Sequence, residues 1–421
     1  MTTPLSDSLW LKTVPHDLPY SPLDREITAD VVVIGGGFTG VSAAFHLADS
    51  GASVCLLEAE TIGFGGSGRN VGLVNAGLWT PPDEVETTLG PQIGKHLNAY
   101  LAGGPDTVFD LIERLTIDCA ALRNGTLHCA HSASGLQNLR TRHAQQLARN
   151  APVQLLDASE TARRTGSNAF HGALWDARAG TIQPLAYVRG LARAAATKGA
   201  QIFENSAAQK VTQTNGLWTV ETAQGRVSAP KLIQATNAYG SAGASRNSFI
   251  LAHYFQLATA PLPQSLRDTI LMGGEGCWDT ALIMSSFRLD AQGRLVLGAL
   301  GNLDGIGRSA HRAWARRKLT ALFPQLSDIK LEMSWTGRIS MTSSHLPQVQ
   351  SLGANGVSIF GYSGRGIGPG TLFGRAAAQW AAGTGSFPIP ITEPAAEPLP
   401  TLKSAFYEAG AALTHLINSR L

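Results

Sequence analysis

The sequence has few cysteines and few charged residues for its length. Its 4 cysteines are spread over 421 residues with neither a disulfide framework nor metal-ligand spacing, so we expect reduced, mostly buried thiols and no bound metal. Charged residues make up 15% of the chain, the net charge is +3, and no basic stripe is interleaved with aromatic residues. This composition argues against a nucleic-acid partner, and the reduced thiols favour a cytoplasmic protein.

Long hydrophobic runs are also missing. No apolar run reaches the roughly 18 residues that a membrane-spanning helix needs, and residues 1–26 are polar and rich in proline where a signal peptide would be apolar. We therefore expect a soluble protein whose N-terminal arm wraps a domain surface. The basic cluster Arg312, Arg316, Arg317 and Lys318 predicts a solvated helix face, and no paired carboxylates or Ser–His–Asp constellation is apparent.

Glycine, in contrast, is abundant, with 46 residues, and 44% of the chain is hydrophobic. This length and composition predict a large α/β enzyme of two or three domains. The strongest motif runs from Asp30 to Glu58, where an apolar strand at 31–34 enters a glycine-rich turn and a helix, and a second apolar strand ends in an acid. The residues of the turn are Gly35, Gly36, Gly37, Phe38, Thr39 and Gly40.

Each part of this motif has a physical role in binding a dinucleotide. Gly35 permits the tight turn, Gly37 lets the backbone approach a pyrophosphate, and Gly40 lets the helix pack closely on the strand. The helix N-terminus then faces the phosphates, and Glu58 accepts hydrogen bonds from ribose hydroxyls. Because Glu58 would repel a 2′-phosphate, the motif predicts a dinucleotide site that does not take NADP.

Two further glycine-rich segments follow, at Gly63–Gly72 and, after a buried strand, at Gly361–Gly370. In this order the three segments resemble the D-amino-acid-oxidase-like superfamily of FAD enzymes, nearest the glycine and sarcosine oxidase branch, over residues 28–385. The loop Ser67–Gly77 is more narrowly similar to bacterial γ-glutamylputrescine oxidases and L-pipecolate oxidases.

The resemblance implies a Rossmann-like α/β domain for FAD, assembled from discontinuous segments, and an α+β substrate domain whose antiparallel sheet roofs the flavin. The expected boundaries are 1–90, 152–240 and 336–385 for the FAD domain, 91–151 and 241–335 for the substrate domain, and 386–421 for a proline-rich linker and closing helix. Sarcosine oxidases attach FAD through a C-terminal cysteine, and residues 336–370 contain none. The resemblance therefore implies FAD that is not attached in that way.

The second and third glycine-rich segments are expected to contact the cofactor. Small residues let the second segment reach the pyrophosphate and the isoalloxazine, and the third opens a helix whose amides would face the flavin N1/C2 region. The residues concerned are Ser67, Gly68, Arg69, Asn70, Gly72, Gly364, Arg365, Gly366 and Ile367. Val211 resembles a position that contacts adenine through its backbone, and an ordinary core residue is the alternative.

For the substrate, the first candidate is Arg338, because a guanidinium suits the carboxylate of an amino acid. Tyr254 resembles an active-site tyrosine of glycine-oxidase-like relatives, and Arg365 is placed to face either flavin or substrate. The alternatives are an arginine paired at a sheet edge, a buried structural tyrosine and a surface arginine. Trp278 and Phe287 are expected to line an apolar pocket or the core.

The chain departs from the family pattern at two points. Val296 stands where sarcosine oxidases have a lysine that promotes reaction with oxygen, which argues against fast use of oxygen. The usual acid before the proline of the late segment is also missing, and Ser344 or His345 is expected to take its role.

Together these features predict FAD-dependent oxidation of the C–N bond of an amino or imino acid, such as L-pipecolate, to the imine by hydride transfer to flavin N5. The electron acceptor is expected to be O2, a quinone or another carrier. The alternatives are a polyamine-derivative oxidase of the γ-glutamylputrescine type and a flavin-binding subunit without turnover.

The closing helix at 402–417 carries an apolar face, which we expect to dock on the body of the protein, with a partner protein or a membrane surface as the alternatives. The residues of this face are Leu402, Phe406, Leu413, Leu416 and Ile417.

Overall fold

The computed structural model describes residues 5, 8–15, 19–240 and 247–417. Part of the predicted N-terminal arm, including Pro4, lies outside the described residues. The α-helices are α1 (Leu9–Thr13), α2 (Phe38–Asp49), α3 (Pro82–Leu89), α4 (Pro91–Ala102), α5 (Gly104–Arg114), α6 (Ala133–Leu147), α7 (Ala158–Thr165), α8 (Pro184–Thr197), α9 (Gln264–Arg267), α10 (Arg308–Leu322), α11 (Ile367–Ala382) and α12 (Pro400–Ile417). Short 3-10 helices lie at Gly66–Gly68, Asn237–Tyr239 and Pro324–Leu326.

The strands of the described ranges divide among four sheets. They are β1 (Glu26–Thr28), β2 (Val31–Ile34), β3 (Val54–Leu57), β4 (Leu73–Val74), β5 (Thr126–Cys129), β6 (Val153–Leu156), β7 (Ala173–Asp176), β8 (Gly180–Thr181), β9 (Gln201–Phe203), β10 (Lys210–Thr214), β11 (Leu217–Glu221), β12 (Arg226–Ala229), β13 (Lys231–Gln234), β14 (Ile250–Pro261), β15 (Gly276–Asp279), β16 (Ser285–Leu289), β17 (Arg294–Leu300), β18 (Leu331–Met341), β19 (Gln348–Gly353) and β20 (Gly356–Phe360). This mixed architecture confirms the predicted α/β fold class with an α+β second part.

The first large sheet has six strands in the order β19-β20-β13-β2-β3-β9, and all its pairs are parallel except β19 with β20. Its central strands are apolar along their whole length because both faces are covered. Val31 and Val33 pack in a cluster with α2, α8 and α11, while Val32 and Ile34 pack toward a four-stranded sheet, β1-β12-β11-β10. The carboxyl ends of β2 and β3 therefore open onto the predicted dinucleotide site.

The second large sheet has eight strands in the order β18-β14-β17-β16-β15-β5-β7-β6, and all pairs are antiparallel except β15 with β5. One face carries Phe255 and Leu297 into a core shared with Trp314 of α10. Because side chains alternate along a strand, the other face carries Tyr254, Gln256 and their neighbours toward the glycine-rich loops.

The sheet topology bears on the predicted domain boundaries. β6 and β7 lie within 152–240, the range predicted for the FAD domain, yet they pair at one end of the eight-stranded sheet. β18 begins at Leu331 and continues that sheet to Met341, past the predicted boundary at 336. The division into domains stays a prediction, with these strands belonging by their hydrogen bonds to the second sheet.

The closing helix α12 forms as predicted, but the prediction that its apolar face docks on the protein is wrong. The five residues of that face are between 57% and 74% exposed. The opposite face packs on β14, where Glu408 bonds the His253 ring at 2.7 Å and Ser404 accepts a hydrogen bond from the Leu251 amide. Within the described part of the chain, no helix combines the length and hydropathy needed to cross a membrane.

The basic cluster on α10 is also not a uniform solvated face. The Lys318 side chain is 6% exposed, and its ammonium lies 2.9 Å from an Asp279 carboxylate that is fully buried. Arg317 is exposed and donates to the carbonyl of His415 on α12. Sequence alone did not distinguish the buried lysine from its neighbours. The burial of a long charged side chain depends on which face of the helix it occupies and not on its charge.

A buried histidine pair joins α10 and α12. The Nδ1 atoms of His311 and His415 are 2.7 Å apart, so at least one ring must be neutral, and the His415 ring stacks on Trp314 at 4.1 Å. Burial, and next the charges of His311 and Arg317, lower the pKa of His415 from 6.5 to about 3. The folded state therefore holds His415 neutral at a pH where the unfolded chain is protonated.

We expect this pair to make folding sensitive to acid. The stability that the neutral His415 contributes is complete above pH 6.5 and is lost as the pH falls toward 3. At pH 5 the loss of unfolding free energy is about 2 kcal/mol. In His415→Phe, which keeps a ring against Trp314, urea unfolding at pH 7 and pH 5 should show that much less acid destabilisation. The same substitution at exposed His96 is the control, and equal pH slopes in wild type and His415→Phe would contradict the expectation.

Candidate active site between the two large sheets

The first glycine-rich turn joins β2 to α2, and two of its positions require glycine. Gly35 has φ +111°, and a Cβ there would lie 2.7 Å from the Ala235 carbonyl oxygen. A Cβ on Gly40 would lie 1.9 Å from the Gly35 carbonyl oxygen, so α2 packs against the turn itself. At Gly37 a Cβ would lie 3.0 Å from the Ser67 Oγ, so a side chain there would press on the second glycine-rich segment.

Glu58 closes the motif at the end of β3, as predicted. Its Oε2 accepts from the Gly36 amide at 2.6 Å and its Oε1 from the Glu60 amide at 3.0 Å. Burial raises the pKa of Glu58, while these two backbone hydrogen bonds act in the opposite direction. The carboxylate is thus held against the glycine-rich turn, where a ribose hydroxyl would reach it.

Glu204, which the sequence analysis missed, accepts from the amides of Ile62 and Tyr20 at 2.6 and 3.1 Å. Glu204 directly follows β9, as Glu58 directly follows β3. An acid at the end of a parallel strand was the sequence feature that could have identified it.

The second glycine-rich segment folds over the first. The Phe38 amide donates to the Ser67 Oγ at 3.0 Å, which ties the segment to the first turn of α2. The Asn70 side chain closes the loop by donating to the carbonyls of Gly66 and Ser67 and accepting from the Gly72 amide. Both Gly68 and Gly72 are pressed against backbone carbonyls, 2.3 Å from where a Cβ would be.

Arg69 anchors this loop on the eight-stranded sheet. Its side chain is fully buried and donates to the carbonyls of Phe64 at 2.8 Å and Thr336 at 3.0 Å, and the Trp335 indole donates to the Arg69 carbonyl at 2.8 Å. Arg69 was predicted to contact FAD, and that role stays a prediction beside its observed structural one.

The third segment lies beside the first two. Tyr362 and Thr39 share a hydrogen bond of 2.8 Å between their hydroxyl groups, and a Cβ on Gly370 would lie 3.2 Å from the Thr39 Oγ1. α11 begins at buried Ile367, after Gly364 in the left-handed region with φ +97°. The structure therefore brings together the three segments that are far apart in the sequence.

These residues fit FAD. A Cβ on Gly66 would meet nothing nearer than 3.7 Å and one on Gly366 nothing within 4 Å, so backbone is accessible on both loops. The glycine N-caps of α2 and α11, Gly37 and Gly366, have no side chain that could accept from the first-turn amides, of which only the Phe38 amide is bound, by Ser67, in the part of the chain that the structure describes. A phosphate or a flavin carbonyl at these helix N-termini would satisfy such amides.

Val211, predicted to contact adenine, lies on β10 opposite Val220 and packs partly buried against the cluster beneath the four-stranded sheet. Its role toward adenine stays a prediction.

Tyr254 and Arg338 lie on neighbouring strands but on different faces by strand alternation. Tyr254 is paired with Gly337, where a Cβ would lie 2.4 Å from the Tyr254 hydroxyl, so the ring covers that glycine. Arg338 is paired with His253 on the side of α12, and its guanidinium lies 5.8 Å from the centre of the Tyr239 ring. Arg365, the other predicted substrate cation, lies beside Trp278, with its guanidinium 4.5 Å from the centre of that ring.

Several polar atoms on the loop-facing side of the sheet have no hydrogen-bond partner among the described residues. They include the Tyr254 hydroxyl and the Gln256 Oε1, both on β14. Burial raises the pKa of Tyr254 well above 10, so the hydroxyl stays protonated at neutral pH. Gln256 is the first of a row of residues that lie opposite one another on neighbouring strands. The row crosses the sheet through Gly298, Ser286, Trp278 and His128.

The row ends in a small pocket that the sequence analysis found only in part. Arg365 and Trp278 were named from sequence, and His128 on β5 and Arg142 on α6 were not. His128 stands in a short apolar strand and Arg142 in an ordinary amphipathic helix, so neither had a sequence signal. Phe287, the other aromatic candidate, faces away from this side and belongs to the core beneath the sheet.

Ser344 and His345, the candidates for the missing acid, lie outside the helices and strands, between β18 and β19. Ser344 bonds the Thr342 hydroxyl, and the His345 ring packs edge-on against Trp79 at 4.7 Å. Val296 is fully buried in β17.

Known proteins with similar sequences or structures include FAD-dependent oxidoreductases. The family model DAO, described as FAD dependent oxidoreductase, matches residues 30–380. The chain is 32% identical over 374 residues to a probable oxidoreductase OrdL of Haemophilus influenzae, covering 86% of this chain and 85% of that protein. It is 32% identical over 366 residues to the Gamma-glutamylputrescine oxidoreductase of Escherichia coli, again covering 86% and 85%. Glycine oxidase from Geobacillus kaustophilus has a similar structure, with TM-score 0.70, 20% identity and coverage of 89% of this chain and 98% of that one.

Proposed function

Because the chain belongs to the DAO family of FAD-dependent oxidoreductases, which act on amines or amino acids, we propose that its substrate is an amine that carries a carboxylate. When bound, FAD supplies the acceptor for the hydride that leaves the carbon beside the nitrogen. The protein's own contribution is to bind and orient the substrate against that acceptor.

The observation that carries this proposal is the set of buried polar groups on the loop-facing side of the eight-stranded sheet. The Tyr254 hydroxyl and the side-chain amide oxygen of Gln256 have no hydrogen-bond partner among the described residues. Leaving such buried groups unpaired costs stability. A bound amine would accept from the protonated Tyr254 and donate to Gln256. Because Tyr254 keeps its proton, it acts in this proposal as a donor that orients the substrate and not as a base.

Two substrates fit these requirements. L-Pipecolate is supported by the loop Ser67–Gly77, and γ-glutamylputrescine by the relative of that name, to which the chain is 32% identical. Both have an oxidisable C–N bond and a carboxylate. In place of the lysine expected to promote reaction with oxygen stands the buried side chain of Val296, which favours an electron acceptor other than O2.

The test is an anaerobic absorbance titration of the FAD-loaded protein with L-pipecolate, γ-glutamylputrescine, L- and D-proline, sarcosine, glycine and D-alanine. We expect one compound to bleach the flavin band, and readmission of air to restore it slowly. Piperidine and putrescine, which lack the carboxylate, are the matched controls and should bleach it at least about tenfold less readily. An intact flavin band with every compound would contradict the proposed function.

A further inference from the structure

The pocket at the end of the row lies between the eight-stranded sheet, α6 and the start of α11. Its polar lining includes Arg142, Arg365, His128, Thr126 and Gln146, and Trp278 forms one wall. The space open to the centre of a water-sized group is about 20 Å³, which is enough to admit at least one such group. We call these residues the arginine pocket.

The arginine pocket has an excess of positive charge. Its one carboxylate, that of Asp176, is already bound by Arg178 through two hydrogen bonds of 2.9 and 2.7 Å. Neither Arg142 nor Arg365 takes part in an ion pair within the described ranges. Burial, and next the charge of Arg142, lower the pKa of Arg365 to about 9, and burial lowers that of Arg142 to about 10. An anion between the two guanidinium groups would relieve this repulsion.

Donors in the pocket are also left without acceptors. His128 is 5% exposed and Arg142 is 7% exposed, yet the Nε of Arg142 lacks a hydrogen-bond partner among the residues that the structure describes. The backbone of Asp279 can serve one ring nitrogen of His128, which leaves the other ring nitrogen unmatched there. Burial lowers the pKa of His128 well below 6.5, so its ring is neutral and has one N–H to donate. Buried donors of this kind are normally matched, and a ligand is what would match them here.

The side chains are held in place by the same stretch of backbone. Arg142 donates to the Trp79 carbonyl at 2.5 Å, and Arg365 donates to the carbonyls of Ala76 and Leu78, each at 3.1 Å. The Arg365 guanidinium lies 4.5 Å from the centre of the Trp278 ring. Each arginine is therefore fixed through part of its guanidinium, which leaves other N–H groups for a ligand.

We propose that the arginine pocket binds the carboxylate of the amine substrate, and that Arg142, contributed by α6, determines the preference for acid-bearing amines over plain amines. Two guanidinium groups and a neutral imidazole offer planar donors that suit the two oxygens of a carboxylate. This assignment rests on the proposed function, and it places the carboxylate at Arg142 and Arg365 and not at Arg338. The pocket lies three to four strands across the sheet from Gln256, roughly 15–20 Å at about 4.8 Å per strand. The assignment therefore fits an amine whose carboxylate is far from the oxidised nitrogen, such as γ-glutamylputrescine, and does not fit L-pipecolate.

The experiment is isothermal titration calorimetry of the FAD-loaded protein with cyclohexanecarboxylate, a carboxylate without an oxidisable nitrogen that probes the arginine pocket alone. Cyclohexanecarboxamide, of the same shape without the charge, is the ligand control. The variants are Arg142→Gln, Arg142→Lys and His128→Phe, and Arg140→Gln is the matched control because Arg140 is exposed on the same helix. Flavin content and the circular dichroism melt report whether each variant is folded.

We expect Arg142→Gln to raise the Kd of the carboxylate about 30-fold, Arg142→Lys to recover part of that loss, and His128→Phe, which keeps a ring against Trp278, to raise it about fivefold. Arg140→Gln should leave the Kd of the carboxylate unchanged. Cyclohexanecarboxamide should show no measurable binding to the wild-type protein. For the amine that bleaches the flavin, KM should rise in Arg142→Gln more than kcat falls.

Different results would overturn the pocket assignment and the proposed function. If cyclohexanecarboxylate binds to folded Arg142→Gln and Arg142→Lys as tightly as to wild type, the pocket assignment is overturned even if amines bleach the flavin. Absence of binding to wild type overturns it as well. If the carboxylate binds through Arg142 but no amine reduces the flavin, the pocket stands as an anion site and the proposed function falls.

Discussion

Replacing Gly40 by alanine is expected to weaken FAD binding at least about tenfold. The new Cβ would lie 1.9 Å from the carbonyl oxygen of Gly35, so α2 must move away from the turn that it packs on. Overpacking against backbone costs about 2–3 kcal/mol, more than the roughly 1 kcal/mol that alanine gains over glycine inside a helix. We expect FAD affinity, measured by titrating flavin fluorescence with the apoprotein, to fall at least about tenfold, with a lower thermal midpoint.

Two other glycines serve as controls for this substitution. Gly410 lies inside α12, and a Cβ there would meet nothing within 4 Å, so Gly410→Ala should keep FAD affinity unchanged and raise stability slightly. Gly366 is equally free of protein atoms, but it opens α11 beside the predicted flavin position. Gly366→Ala should weaken FAD binding without lowering the stability of the apoprotein. Full FAD retention in Gly40→Ala would contradict the close-packing argument.

Replacing Lys318 by methionine is expected to destabilise the protein by about 3–5 kcal/mol, because it leaves a buried carboxylate without its counter-charge. The Asp279 carboxylate is fully buried, 2.9 Å from the Lys318 ammonium, and accepts from the amides of Ala281 and Ser285, each at 3.1 Å. Its neighbour Trp278 forms a wall of the arginine pocket. Urea unfolding at pH 7 would measure the loss of stability.

The matched controls separate the ion pair from simple packing. Arg317→Met changes an exposed cation of the same helix and should cost less than about 1 kcal/mol. The double variant Lys318→Met with Asp279→Asn removes both charges and should recover much of the loss. If Lys318→Met and Arg317→Met were equally stable, the buried pair would not contribute as argued.

Local sequence patterns predicted much of the cofactor side of this protein. The strands at Val31–Ile34 and Val54–Leu57 form at those residues because continuous apolar runs suit parallel strands buried on both faces. The need for glycine at Gly35 and Gly40 follows from the turn and the helix contact that such a unit requires. The family, too, was correctly inferred from the order of the three glycine-rich segments, since each segment carries its own constraint in a few consecutive residues.

The substrate side was predicted less well because its residues have no local signature. Arg142 is one of several basic residues on α6, and only its 7% exposure and its place opposite Arg365 distinguish it. The apolar face of α12 suggested docking, yet the helix packs through its more polar side, where Glu408 and Ser404 find partners on β14. Which face of a helix is covered depends on what lies opposite it.

The sequence by itself determined the dinucleotide-binding unit, the family and the kind of chemistry, because backbone conformation and close backbone approach are fixed by neighbouring residues. Only the tertiary structure decided that His128, Arg142 and Arg365, each from a different part of the chain, share one pocket, and that Lys318 pairs with Asp279. Such groupings depend on strand order and helix orientation, which bring together residues with no relation along the chain. The energy of a buried charge or donor is then set by those neighbours and not by its own residue type.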